Sequence, residues 1–196
     1  MASKRLLNFV IAGLLILYPA LVYFGLQNMK PSDVAWLLLA VISVRLILTL
    51  KDTKSQGLAL STTGVAAIVL WASALSDSEL GLKFYPVAIN LTLLCIFALS
   101  LIKPPSVIER IARLKEPNLP ETGVQYTRKV TGIWCVFFTL NGTAALYSTT
   151  LSLEAWTLYN GLISYILMGI LLGGEMLYRK IRIQQRHLDN KSCQKP

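Results

Sequence analysis

An all-α membrane protein with six transmembrane helices is the fold class that the sequence predicts, on three observations. The 196 residues are 54% hydrophobic and only 15% charged, whereas about a quarter of the residues in soluble domains are charged. The mean hydropathy is correspondingly high, at +0.56. Six stretches are apolar over about the 20 residues that a spanning helix needs. Lysine and arginine residues, finally, lie almost entirely on one side of those stretches.

The first stretch needs separate justification, because Lys4 and Arg5 precede it as they would precede a signal peptide. Its apolar run is longer than the roughly 7–15 residues usual in a signal peptide, so we interpret it as a retained span. All six stretches are expected to be helical, because lipid offers no hydrogen-bond partner to backbone N–H and C=O groups. They form one predicted domain, 1–177, followed by a basic tail, 178–196. The predicted spans are 6–26, 34–50, 57–75, 84–102, 130–150 and 155–177.

The distribution of basic residues predicts the topology. Sixteen of the 19 lysine and arginine residues lie at the N-terminus, in the second and fourth loops or in the tail. Only Lys30 and Lys83 are expected on the opposite side, and Arg45 lies within a span. Because positive residues are retained on the cytoplasmic side of a membrane, both termini are predicted to be cytoplasmic.

Cysteine and histidine usage excludes several classes of chemistry. Cys95, Cys135 and Cys193 form no CxxC pair, so neither a disulfide framework nor a zinc site is expected. His187 is the only histidine, which argues against catalytic triads and multi-histidine metal sites. We therefore expect no cofactor and no metal. The net charge of +9 is explained by topology, so no nucleic-acid partner is expected.

The fourth loop, 103–129, is the largest soluble segment before the tail. Ser106 and Glu109 have the spacing of a capping box, in which both side chains satisfy free N–H groups at the start of a helix. This helix is expected to extend to about Lys115 and to lie in the cytoplasmic interface, where anionic headgroups would attract its basic residues. Its expected apolar face consists of Val107, Ile108, Ile111 and Leu114. We treat it as a candidate docking helix, whose polar residues are Ser106, Glu109, Arg110, Arg113 and Glu116.

Polar groups inside spans are the other functional candidates, because they are costly to bury without partners. Arg45 and Glu175 both lie near cytoplasmic span ends, where they could pair, reach the interface separately or form a proton or substrate site. Asparagines in spans most often hydrogen-bond across helices, although they could also line a transport path. The candidate intramembrane site comprises Arg45, Asn90, Asn141, Asn160 and Glu175.

Five segments in the second half of the chain have a recognisable likeness: Tyr85-Pro-Val-Ala-Ile-Asn90, Pro104-Pro-Ser-Val-Ile-Glu-Arg-Ile-Ala-Arg113, Tyr126-Thr-Arg-Lys-Val-Thr131, Leu158-Tyr-Asn-Gly161 and Gly174-Glu175. They resemble a group of uncharacterised bacterial inner-membrane proteins, some encoded among genes for aryl-polyene or xanthomonadin-like pigment lipids. The same half is more distantly similar to the intracellular septation proteins. The resemblance implies a bacterial inner-membrane location and an envelope role, and it assigns no catalytic residue.

Three functions remain open from the sequence. The first is a non-enzymatic protein that assists or scaffolds an envelope or lipid pathway, with membrane lipids, envelope-pathway proteins and further copies of the chain as expected partners. The second is a small lipid or metabolite transporter or flippase subunit with the intramembrane polar residues along its path. The third is an acyl or glycosyl transferase with Glu109 or Glu116 as the base.

Overall fold

The computed structural model describes residues 13, 17–50 and 56–193, without the side chains of residues 48–50, 56–59 and 180–193. These described residues contain no strand, so the all-α class is confirmed for them. The elements are α1 Tyr18–Asn28, α2 Pro31–Leu50, α3 Gln56–Ser76, α4 Glu79–Ile102, α5 Val107–Arg113, α6 Glu121–Ser148, α7 Leu153–Leu158, a π-helical turn Tyr159–Ile163 and α8 Ser164–Cys193.

Three segments of the described chain are long and apolar enough to cross a membrane: Glu79–Ile102, Glu121–Ser148 and Leu153–Arg179. A shorter apolar helix, Leu60–Ser76, lies within α3. These lengths therefore support three spans and not the six that the sequence predicted. The predicted first span, 6–26, lies partly outside the described residues, and α2 and α3 each include side chains that are not described.

Helix boundaries differ from the predicted spans in two places. α6 has 28 residues and is about 42 Å long at 1.5 Å per residue, more than the roughly 30 Å of a bilayer core. It begins at Glu121, well before the predicted span 130–150. The prediction left out its first turns because they are polar, but polar turns can be helical outside lipid. α4 likewise begins before the predicted span 84–102, so Lys83 is helical and not in a loop as expected. Its side chain is buried, and Nζ donates to the Leu151 carbonyl at 3.4 Å.

Two apolar clusters hold the helices together. The first cluster joins α1, α2, α3, α4 and α7. Its buried members include Val22, Ile42, Leu70, Leu82 and Trp156. The second joins α4, α5 and α6, with partly buried residues of α8 against it, and its buried members are Phe97, Val107, Val130, Trp134 and Phe138. The clusters therefore meet along α4, which contributes to both.

Pro86 interrupts the hydrogen bonding of α4 close to the point where two other helices are attached to it. Proline has no N–H, so the Leu82 carbonyl four residues earlier loses its usual helical donor. The Tyr18 hydroxyl of α1 donates to that carbonyl at 2.9 Å. The Trp156 indole N–H of α7 donates to the next carbonyl, of Lys83, at 3.1 Å. α1 and α7 are thereby attached to the same point of α4.

The short connection between α3 and α4 contacts the start of α2. Asp77 has a positive φ of 47°, a conformation that aspartate adopts more readily than most residues. Its Oδ1 accepts a hydrogen bond from the Ser32 backbone N–H at 2.8 Å, which satisfies one of the free N–H groups in the first turn of α2. This hydrogen bond lowers the pKa of Asp77, because it favours the charged carboxylate.

We expect Asp77→Asn to reduce the pH dependence of stability. The pKa of Asp77 is lower in the folded protein than in the unfolded chain, where it is about 3.9. The stabilising contribution is therefore complete above about pH 4 and is lost as pH falls through the lower, folded-state pKa. Asparagine keeps an oxygen acceptor and tolerates positive φ, but it does not titrate. Thermal unfolding in detergent should show a wild-type advantage that shrinks on acidification, and a pH-independent difference would contradict this assignment.

Candidate functional site

Two asparagines in the middle of the helices form a buried hydrogen-bonded chain. Asn141 Nδ2 of α6 donates to Asn90 Oδ1 of α4 at 3.0 Å. The Tyr159 hydroxyl, in the π-helical turn, donates to Asn141 Oδ1 at 2.9 Å. Asn90 Nδ2 donates to the Pro86 carbonyl at 2.8 Å. These four groups, which we call the asparagine chain, connect α4, α6 and the segment that leads into α8.

Close approach of α4 and α6 is required at this point, and Gly142 permits it. A Cβ atom on Gly142 would lie 3.1 Å from the Cβ of Asn90, closer than almost all real contacts of this kind. Asn90 and Asn141 are only 9% and 4% exposed, so the protein itself covers them. They hydrogen-bond to each other, to Tyr159 and to backbone. The arrangement therefore joins helices and offers a ligand no access from solvent.

Asn160 does not bond to Asn90 or Asn141 but fixes the other end of α6. Its Nδ2 donates to Ser148 Oγ at 3.0 Å and to the Trp156 carbonyl at 2.9 Å. Asn160 lies in the π-helical turn, where backbone bonding shifts from i−4 to i−5, as in the bond from the Ser164 N–H to the Tyr159 carbonyl. Asn160 is 5% exposed and is therefore also sealed within the helices.

Glu175 has partners that the sequence did not suggest. The Tyr126 hydroxyl of α6 donates to Glu175 Oε1 at 3.1 Å, and Arg179 Nε lies 3.9 Å from the same oxygen. The rings of Tyr126 and Tyr178 also stack, with centroids 6.1 Å apart. These contacts hold α8 to the first turns of α6. The Arg179 contact follows from i,i+4 spacing, whereas Tyr126 is 49 residues away and gives no local signal.

Arg45 lies in α2, and its side chain is half-buried. Its guanidinium interacts electrostatically with the Tyr85 hydroxyl of α4. The pairing of Arg45 with Glu175 across helices stays a prediction. The groups around Glu175 connect α6 with α8, on the second of the two clusters.

A small recess lies between α1, α2, α3 and α4. It has room for about one water molecule, so a substrate would not fit in it. Among the described residues, no group of three histidine, cysteine, aspartate or glutamate side chains is placed to hold a metal ion. The recess is lined by Tyr18, Leu21, Leu38, Val41, Ile42, Leu70 and Tyr85.

Only one of the two hydrogen bonds of the expected capping box at α5 forms. Ser106 Oγ accepts from the Glu109 backbone N–H at 3.3 Å, as predicted. The Glu109 carboxylate, however, pairs with Arg113 at 2.8 Å instead of returning to the Ser106 N–H. A charge-assisted bond to a guanidinium is stronger than a bond to a neutral N–H, which accounts for the difference. Arg113 Nη1 also donates to the Pro117 carbonyl at 3.0 Å.

The remaining docking-helix residues lie at the surface. Arg110 is exposed, and its Nε donates to the Pro105 carbonyl at 2.9 Å. Glu116 is exposed just after the helix, whereas Glu109 is only 6% exposed. Arg110 and Arg113 therefore contribute to the folding of the loop as well as to its charge.

The fold and these polar groups define an all-helical protein whose three apolar helices are compatible with membrane insertion. No protein family model matches the chain, and no curated protein or solved structure matches it.

We expect Asn90→Ala and Asn141→Ala each to destabilise the protein, and the double variant to be less destabilised than the sum. Each single change leaves the partner amide buried without its hydrogen bond, so the coupling should be about 0.6–2 kcal/mol. Unfolding of the four proteins in detergent micelles measures this coupling free energy. The matched control is Thr92→Ala, because the Thr92 hydroxyl donates to the Ala88 carbonyl of its own helix. Strict additivity of the two asparagine changes would show that the bond between them is not important for stability.

Proposed function

We propose that this chain is a multi-pass protein of the bacterial inner membrane that assists or scaffolds a cell-envelope or lipid pathway without catalysing a reaction. It has six spans, with both termini in the cytoplasm. The observation that carries the scaffold role is the contrast between two kinds of polar residue. Those deep in the helices are sealed and hydrogen-bonded, whereas the folded segment around α5 presents charged side chains at the surface.

The six proposed spans include α2 and α3 in addition to the three segments named above, and the grounds for including them are backbone length and charge. α2 and α3 have 20 and 21 residues, each about 30 Å long, which is enough for a bilayer core. α2 packs against α3, and α3 against α4. α1 is the described part of the first span. With six spans, 16 of the 19 lysine and arginine residues lie on the cytoplasmic side, as the topology rule requires.

Single cysteines introduced into a cysteine-free variant test this topology. With a membrane-impermeant maleimide on intact cells, we expect Ser78→Cys and Thr150→Cys to be labelled from outside. Lys54→Cys and Glu116→Cys should be labelled only after the membrane is opened. Labelling of Lys54→Cys from outside would contradict six spans, because α2 and α3 would then not cross.

A transporter would need a polar path that extends past the middle of the membrane. The asparagines that would line such a path are instead 4–9% exposed and bonded to one another or to neighbouring helices. An enzyme using Glu109 as base is opposed by its burial and its ion pair with Arg113. The likeness of residues 84–180 to bacterial inner-membrane proteins supports the envelope pathway as the setting.

Exchange of two neighbouring charges tests the scaffold role. The double change Lys115→Glu with Glu116→Lys exchanges the positions of a positive and a negative charge on an exposed surface. It preserves the net charge that fixes topology. In a deletion strain of the native host, we expect normal amounts of the protein but an altered envelope-lipid profile. The control is Glu79→Gln, which changes an exposed residue at the opposite end of α4. An unchanged lipid profile with the exchanged pair would oppose docking through this loop.

A further inference from the structure

The apolar face of α5 is covered at one end and bare at the other. Val107, Ile111 and Leu114 follow one another at i, i+4 and i+7 and therefore share a face. Val107 is 7% exposed and packs in the cluster of Phe97 and Trp134. Ile111 is 53% exposed and Leu114 is 83% exposed. The same stripe thus leaves the protein interior and continues onto the surface.

The position of this apolar stripe is fixed by hydrogen bonds between the start of α5 and the end of α4. The Val107 backbone N–H donates to Ser100 Oγ at 3.1 Å, and Ser100 lies in the last turn of α4. Ser100 is buried and donates in turn to the Phe97 carbonyl at 2.7 Å. The start of α5 is therefore held beside the end of an apolar helix and cannot project into the cytosol. Ile102, the last residue of α4, is 73% exposed at this level.

The orientation of the stripe is fixed within the loop itself. Arg110 is bonded to the Pro105 carbonyl, and Arg113 is bonded to both Glu109 and the Pro117 carbonyl. These bonds span the segment from just before α5 to just after it. Ile111 and Leu114 are therefore presented in one arrangement without the help of a partner.

Basic groups surround the bare apolar residues. Lys103, Arg110 and Lys115 are all exposed. The bond to Pro105 uses one of the five N–H donors of Arg110, which leaves others for an anion. Exposed apolar residues flanked by lysine and arginine at the end of a membrane helix fit the boundary between acyl chains and anionic headgroups.

We propose that the bare end of the α5 face binds the anionic lipids of the cytoplasmic leaflet. Ile102, Ile111 and Leu114 enter the acyl boundary, while Lys103, Arg110 and Lys115 contact lipid phosphates. The docking helix is thus anchored in the leaflet, and its polar side remains open to the cytoplasm. This inference rests on the membrane insertion proposed above and is independent of the scaffold role.

An environment-sensitive fluorophore at position 114 tests the proposal. Leu114→Cys, in a full-length background with Cys95→Ser, Cys135→Ala and Cys193→Ser, is labelled with a nitrobenzoxadiazole probe and reconstituted into vesicles. One set of vesicles is phosphatidylcholine, and the other contains phosphatidylglycerol in addition. Ile111→Cys provides a second reporter on the same face if the first variant is poorly behaved.

Two control positions separate the outcomes. Leu91→Cys reports the lipid-facing middle of α4, because Leu91 is 59% exposed there, and Glu116→Cys reports exposed polar loop. We expect the probe at 114 to shift to shorter wavelength when phosphatidylglycerol is present, to be quenched by a shallow doxyl lipid, and to lose this shift in high salt. The probe at 116 should remain water-like.

The proposal is overturned if the probe at 114 stays water-like while that at 91 reports lipid, because the face would then be free for a soluble partner. A shift at 114 that is equal in both vesicle types overturns the choice of anionic lipid. If the probe at 91 also reports water, membrane insertion itself fails, and with it both this inference and the proposed topology.

Discussion

A backbone carbonyl within a packed apolar helix needs a hydrogen-bond donor, and the rest of this structure depends on how that need is met around Pro86. Without lipid or water to donate, an unsatisfied carbonyl is costly. Pro86 cannot donate to Leu82, and the Tyr18 hydroxyl of α1 supplies the missing bond. Tyr18 and Trp156 donate to successive carbonyls of α4, and both are buried in the first apolar cluster. A local defect in α4 thereby becomes the attachment point for α1 and α7.

The asparagine chain continues from the same point. The Pro86 carbonyl accepts from Asn90, which accepts from Asn141, which in turn accepts from Tyr159. These bonds run from α4 through α6 to the π-helical turn. Polar groups that would mark a transport path in another protein are here occupied in holding helices together. The exposed charged groups lie elsewhere, around α5.

The segment around α5 is folded by its own polar and charged groups. The Ser106 hydroxyl caps α5, Glu109 pairs with Arg113, and Arg113 also reaches the carbonyl of Pro117. On α8, Glu175 bonds Tyr126 and so brings the last helix to the same region. The loop also exposes basic and apolar side chains, among them Arg110 and Leu114, and these form the surface that the proposed function uses.

The sequence by itself determined the class of fold, the approximate position of most helices, the charge asymmetry and the Ser106 cap, because composition, span length and capping are local properties. It did not determine which helices are neighbours. In a soluble helix, the apolar face indicates what is buried, but in a membrane both the lipid-facing and the packed faces are apolar. Only tertiary structure could pair Tyr18 with Leu82, Asn90 with Asn141, and Tyr126 with Glu175, which lie 64, 51 and 49 residues apart. For the same reason, only tertiary structure decided that Val107 is buried while Leu114, on the same face, is bare.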